Sequence, residues 1–246
     1  MSMALVLLCI GLNSCATPTQ AGNSQATDPQ LEAKVLQIVR NHPEVILESV
    51  QAYQQKQQAQ QQQGQKAFLD GMKANPKSVI AESPATGAKA QSVVLMEFSD
   101  FQCPYCAKSH ETLKQFMAKH QDRVTWVYKF LPLTQIHPEA MPSAKAAWAA
   151  GQQGKFWEYH DALFTQQDKL GEPLYMATAK ALNLDLKRFD QDRKSDSASA
   201  AIQKDIDMAE KLGVSGTPFL VMNGEPIPGA AQLADLEGLL AKVSKR

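Results

Sequence analysis

Val93-Val94-Leu95-Met96-Glu97-Phe98-Ser99-Asp100-Phe101-Gln102-Cys103-Pro104-Tyr105-Cys106 is the stretch that decides how this chain reads. Its first six residues form a short apolar run with β-branched members, the pattern of a largely buried strand. Cys103 and Cys106 then stand three residues apart, about one helical turn if a helix begins at the first of them. That spacing permits a tight disulfide and places the Cys103 sulfur at the helix N-terminus. Orphan backbone N–H groups and the positive end of the helix dipole stabilise a thiolate there. A strand, a Cys-x-x-Cys and then a helix is the arrangement of a dithiol redox site.

Working outward, the helix is expected to run to about Lys119, and Val124–Phe130 reads as a second strand rich in β-branched and aromatic residues. A βαβ unit demands a parallel pair. Between Phe130 and Pro218 no strand signal appears. Helical patterns cover Pro138–Gln152, Lys155–Phe164, Leu174–Leu182 and Ser197–Leu212. The aromatic group Phe156, Trp157, Tyr159 and Phe164 is expected to pack a small core of its own rather than to form a ligand box. Strands resume at Pro218–Met222. Asn223-Gly224 is a two-residue hairpin signal, and Glu225-Pro226-Ile227 is the return strand, at an edge because of its proline. Gln232–Val243 closes the chain as an amphipathic helix. The order implies an α/β chain: a thioredoxin-like fold (93–132 and 213–246) with an inserted helical domain (133–212). The Pro/Gly/Ala-rich stretch within 76–92 reads as a linker.

An N-terminal helical extension, 28–75, precedes this domain. Asp28-Pro29 is a helix start, Asn41-His42-Pro43 a break, and the glutamine-rich tract Gln51–Gln65 an exposed helix to Gly64, with a second piece at Phe68–Met72. Leu31, Val35, Ile38, Ile46, Leu47, Val50 and Tyr53 make an apolar stripe on a segment too short to bury it alone. The stripe is expected to pack on the main domain or on its twin in a homodimer or larger homo-oligomer. Ahead of it, 1–21 reads as a signal peptide, although no Lys or Arg precedes its apolar run, Met3–Gly11. Leu12-Asn13-Ser14-Cys15 resembles a lipoprotein box, so a lipid anchor at Cys15 stands beside simple cleavage after Ala16 or Ala21. Either outcome implies export, to the periplasm.

Composition narrows the classes. The 25 basic residues balance the 25 acidic ones, which speaks against nucleic acid. With Cys9 and Cys15 in the leader, Cys103 and Cys106 are a lone redox pair without structural disulfides. An ordinary cysteine titrates near 8.5, so only about 3% is thiolate at pH 7, whereas a helix N-terminus lowers that to roughly 3.5–7.5. Cys103 is therefore expected to be an exposed nucleophile and Cys106 a buried resolving thiol. Pro104 and Tyr105 set how many N–H groups reach Cys103. A zinc site would need two more ligands. His110 is expected on a solvent-facing helix surface and His137 in a loop before a helix-starting Pro138. Neither metal nor cofactor is expected. Gly216-Thr217-Pro218 precedes a strand, and its peptide bond is open to either isomer. Glu97 is the odd residue of an apolar strand. Local pattern leaves two readings, a solvated face or a buried proton acceptor for Cys106.

The block Leu95–Cys106 resembles the active-site block of the DsbA family. So do Phe130-Leu131-Pro132-Leu133 with His137-Pro138, the stretch Lys155–His160, and Gly213–Pro218. The resemblance runs from about Val93 to the C-terminus. It implies a thioredoxin fold with a helical insertion, Cys103 as nucleophile, Cys106 as resolving thiol, Pro218 as a cis proline and Glu97 as the family's buried acid. Pro-Tyr between the cysteines, rather than Pro-His, and Thr217 before the proline, rather than Val, are more similar to the isomerase members. The helical extension is similar to that of oligomeric ScsC and Com-like members. The implied function is an exported thiol–disulfide oxidoreductase acting on cysteine-containing secreted proteins, with oxidase, isomerase and dual activity all open. A DsbB-like or DsbD-like membrane redox partner would recycle it. A glutaredoxin-like reductase and an envelope chaperone with secondary redox activity are the alternatives.

Overall fold

The computed structural model describes residues 28–227 and 229–245. The predicted signal peptide, its lipoprotein box and Cys9 and Cys15 lie outside the described residues. The chain forms two compact units that divide between Gln54 and Gln55. The first contains α1 (Pro29–Asn41), capped by Asp28 accepting from the Gln30 N–H at 2.9 Å, and the start of α2 (Pro43–Ala74). His42 separates them, as the Asn-His-Pro break predicts. No residue of α1 is buried, and Leu31, Val35, Ile38, Ile46, Leu47, Val50 and Tyr53 are all exposed.

α2 continues without interruption through Gly64, where a break was expected. One glycine costs a helix only about 1 kcal/mol. It also permits a close approach, since a Cβ at Gly64 would lie 3.3 Å from the Lys211 carbonyl. The end of α2 buries Met72. The stretch expected to be a linker carries a 3-10 turn, Pro76–Val79, and a short strand, β1 (Ala85–Gly87). β1 pairs antiparallel with β3, and at Gly87 a Cβ would lie 2.2 Å from the Val124 carbonyl.

The sheet order is β1-β3-β2-β4-β5. β2 (Val93–Ser99) and β3 (Val124–Phe130) run parallel, joined by α3 (Pro104–His120), so the βαβ prediction holds. β4 (Phe219–Met222) and β5 (Glu225–Ile227) run antiparallel, with Pro226 on the outer strand. Every residue of β2 and β3 is buried, because both faces of the sheet are covered. Val93, Leu95 and Trp126 meet α3 and α9 (Leu233–Val243), while Tyr128 and Phe130 meet the insertion. On the other face Val94, Met96, Phe98 and Val127 meet Met72, Val79, Ala209 and Leu212.

The insertion comprises α4 (Ala140–Gly151), α5 (Phe156–Thr165), α6 (Glu172–Ala181), α7 (Leu186–Arg193) and the long α8 (Asp196–Lys211). α4 starts at Ala140 rather than at Pro138. α7 gave no sequence signal, since Phe189 is its only buried residue. The aromatic residues Phe156, Tyr159 and Phe164 do pack together, but their core also includes Phe101, Tyr128 and both cysteines. It is the floor of the site, not a separate small core.

Candidate active site

Cys103 is the N-cap of α3, and its carbonyl accepts from the N–H groups of Cys106 and Ala107 at 3.0 and 3.2 Å. Pro104 occupies the first helical position, where a missing N–H costs nothing. The loop entering the helix is tied down from three directions. Asp100, itself buried, accepts from the N–H groups of Gln102 (2.8 Å) and Leu133 (3.0 Å), and lies 2.7 Å from His137 Nδ1. Gln102 accepts from the Glu139 N–H at 2.6 Å. Gln167, in a 3-10 turn after α5, donates to the carbonyls of Phe101 (2.7 Å) and Cys103 (2.9 Å). Asp100, Gln102, His137 and Gln167 thus fix the position of the cysteine loop. Asp100, Gln102 and His137 lie in stretches that drew notice in the sequence, without this role; Gln167 lies 64 residues from its partner at Cys103 and gives no local signal.

The Thr217–Pro218 peptide bond is cis. It brings the Thr217 carbonyl to 3.5 Å from Cys103 Sγ, so the two halves of the predicted site meet. The buried Thr217 hydroxyl meets no other partner, which leaves its proton free to turn toward that sulfur. Cys103 is only 4% exposed, against the expectation of an exposed nucleophile. The loop of Thr217 and Pro218 lies over its sulfur, and the exposed residue of the motif is Tyr105, at 66%. Cys106, on the inner face of α3, is fully buried as expected.

The two sulfurs differ sharply in acidity. The adjacent Cys106 thiol lowers Cys103 to a pKa of about 5. Burial opposes that shift, and the Thr217 hydroxyl and the N–H groups of Cys106 and Tyr105 add to it. At such a value roughly 99% would be thiolate at neutral pH. Burial pushes the Cys106 thiol far up, and the negative charge of Cys103 and of Glu97 pushes it further. One sulfur is therefore a ready nucleophile and the other holds its proton.

Beneath them, Glu97 is 0% exposed, so it does not lie on a solvated face. Trp126 Nε1 donates to its Oε2 at 3.0 Å, while Oε1 has no partner. Burial raises the carboxyl to about 7, against the pull of the nearby Ser99 hydroxyl and of the Trp126 N–H.

His110 is not solvent-facing. It is buried, its Nε2 2.9 Å from Asp161, and it stacks on Phe164. His160, fully buried among aromatic rings, turns Nδ1 to the same carboxylate oxygen at 3.1 Å. Lys114 pairs with the other oxygen. Burial alone would raise Asp161, but these three partners carry it well below the carboxylate range, and burial lowers His160 to about 4. Donor atoms of His110, His160 and Asp161 lie within 4.8 Å of one another. The carboxylate is already fully engaged by two imidazoles and an ammonium, so the group reads as an ion-pair network joining α3 to α5.

A cis-proline loop facing a helix-capping cysteine on a five-stranded sheet defines the class: a thioredoxin-fold dithiol protein. Residues 80–242 match the family described as Thioredoxin, and residues 37–60 match the one described as the copper resistance protein ScsC N-terminal domain. The chain belongs to the thioredoxin family. Among solved structures it is similar to a thioredoxin-like oxidoreductase from Silicibacter pomeroyi, 28% identical, with a TM-score of 0.64 over 70% of this chain and 99% of that one. ScsC of Proteus mirabilis is 24% identical, with a TM-score of 0.62 over 88% and 97%. The thiol-disulfide exchange protein alpha-DsbA2 of Wolbachia pipientis is 21% identical, with a TM-score of 0.64 over 72% and 97%. Among curated proteins, the Na(+)/H(+) antiporter NhaA 3 of Salinispora tropica is 38% identical over 138 residues, 56% of this chain and 21% of that one. NhaA 1 of Salinispora arenicola is 35% identical over 158 residues, 64% and 24%. The chain thus spans less than a quarter of these antiporters' length. Among the described residues no helix is long and apolar enough to cross a membrane.

Proposed function

We propose that this protein is an exported thiol–disulfide oxidoreductase that both forms and reshuffles disulfides in secreted proteins. The opposed acidities of Cys103 and Cys106 carry this reading. In the oxidised form, a substrate thiolate attacks Cys103 and Cys106 leaves as its thiolate. A second substrate thiolate then attacks the substrate sulfur of the mixed disulfide, releasing oxidised substrate and the Cys103 thiolate. In the reduced form, the Cys103 thiolate attacks a wrong disulfide, and either Cys106 or another substrate thiol resolves the adduct. A stable Cys103 thiolate favours the reduced enzyme and makes its disulfide more oxidising.

Thr217 and Pro218 receive the substrate strand, with Tyr105 offering an exposed apolar surface beside the reactive sulfur. The leader-like first 21 residues support a periplasmic location, with a lipid anchor at Cys15 as one form. The exposed apolar stripe of 28–54 supports self-association into a homo-oligomer, the catalytic domain being 76–246. A membrane redox partner of the DsbB or DsbD kind resets the cysteines.

Refolding of reduced ribonuclease reads oxidase activity, and recovery of scrambled ribonuclease reads isomerase activity. Both should vanish in Cys103→Ser. Removal of 28–54 should yield monomers that oxidise but no longer isomerise. Full isomerase activity in a monomer would overturn the role given to the N-terminal helices, and ribonuclease oxidation by Cys103→Ser would overturn the dithiol cycle.

A further inference from the structure

Cys106 has to gain or lose a proton in every cycle, yet its side chain is fully buried. The question is which groups move that proton. Side chains alternate along a strand, so Glu97 and Ser99 share one face of β2. Tyr128, the register partner of Glu97 on β3, packs in the same core as Cys106, and Leu95 and Trp126 show that this face looks toward α3. Glu97, Ser99, Tyr128 and Cys106 therefore converge beneath the helix, none more than 1% exposed.

Three polar atoms in this space have no hydrogen-bond partner: Glu97 Oε1, Ser99 Oγ and Tyr128 OH. Each buried, unpaired polar group bears the full cost of its lost hydration. Three together beneath a reactive sulfur are a heavy penalty for a fold to carry without a use. On the opposite face of the same strands, Lys129 and Asp205 are fully paired.

We infer that Ser99 relays the proton between the Cys106 sulfur and Glu97 Oε1. This inference rests on the dithiol cycle proposed above and adds the route its proton takes. A serine hydroxyl has one rotatable donor and two acceptor sites, the minimum for a relay. Ser99 is also the one neighbour whose hydroxyl lies close enough to favour the charged form of all three of Glu97, Cys106 and Tyr128. During resolution of a mixed disulfide the Cys106 S–H proton passes to Ser99 Oγ. The Ser99 O–H proton passes to the Glu97 carboxylate. The Cys106 thiolate attacks Cys103, the Cys103–Cys106 bond forms, and the bond from Cys103 to the substrate sulfur breaks. The substrate sulfur leaves with the electron pair as a thiolate. When a substrate thiolate opens the oxidised pair, the same relay runs backward and protonates the departing Cys106.

The test uses the reduced full-length protein and 5,5′-dithiobis(2-nitrobenzoate), at successive pH values. Attack by Cys103 releases one chromophore, and resolution by Cys106 releases the second. The first phase tests the Cys103 reading alone, and the second tests the relay. In the wild type the second phase should rise with Glu97 ionisation, near pH 7. Ser99→Ala should leave the first phase unchanged and slow the second at least tenfold, in line with the usual size of general acid–base effects. Its inflection near pH 7 should also be lost, which a packing defect alone would not do. A second phase of unchanged rate and inflection in Ser99→Ala overturns the proposal. Loss of the inflection in Tyr128→Phe but not in Ser99→Ala transfers the relay to the tyrosine and overturns it equally.

Discussion

The two faces of the β2–β3 pair bury charge in opposite ways. On the face toward α8, Lys129 is 3.2 Å from Asp205, and Ser83 accepts a second Lys129 bond at 2.6 Å. Asp205 uses its other oxygen for the Phe130 N–H at 3.0 Å. Every strong group there has a partner. On the face toward α3, Glu97 has one neutral donor, Trp126, and its other oxygen is unpaired. Burial raises both acids, but Asp205 has a cation in contact and Glu97 has none. A satisfied buried pair holds a fold in register. A half-satisfied acid with a value near neutrality can exchange protons at working pH. The first face is built to hold structure and the second to change state.

The largest expected effect breaks the structural face. Asp205→Ala leaves Lys129 buried without its counter-charge and should cost about 3–5 kcal/mol, read as a lower urea midpoint. Cys103 reactivity in the remaining folded protein should not change. A loss below 1 kcal/mol would mean that this pair is no more structural than a surface contact.

Glu97→Gln acts on the other face and in the opposite direction. The folded value near 7 lies above the 4.5 of an ordinary glutamate, so the folded state binds the proton more tightly. Such a group weakens stability as pH rises between those two values, and the full penalty holds above the higher one. Removing the charge should therefore stabilise the protein by about 3 kcal/mol at pH 8, with the gain shrinking toward zero near pH 4.5. Denaturant midpoints at the two pH values check this. Equal midpoints for variant and wild type at pH 8 would place Glu97 among the satisfied acids, with Asp205.

Thr217→Val should have the smallest effect. It removes a hydroxyl that stabilises the Cys103 thiolate, worth about 1 kcal/mol for one hydrogen bond. The Cys103 titration, followed by thiolate absorbance, should move up from about 5 by roughly 0.7 pH unit. An unmoved titration would leave the Cys106 thiol and the α3 N-terminus as the whole source of acidity.

Much of this was legible in local sequence. The βαβ unit, the Asn223-Gly224 turn and the edge position of Pro226 follow from short-range rules and recur in the structure. At Gly224, φ is +76°, and a Cβ would lie 2.2 Å from the Leu69 carbonyl, so the turn residue is fixed by backbone geometry and by a close approach. β1 and α7 escaped notice. β1 is three residues long, and α7 buries one side chain, too little for a periodic pattern to register. The placement of His110 was misjudged because its helix is covered by α5, whose Asp161 lies 51 residues away.

The sequence by itself determined the chemistry: a lone cysteine pair after a strand, one sulfur at a helix start and the other a turn inside it. Spacing and the dipole of the coming helix are local properties, and they do not wait for the fold. Only the tertiary structure decided the proton's side of that chemistry. It put the Thr217 carbonyl against Cys103, left Glu97 half-paired and gathered Ser99 and Tyr128 beside it. In a strand covered on both faces every residue is buried, so pattern cannot tell a packed carboxylate from a reactive one. That difference lies in what each oxygen meets across the fold.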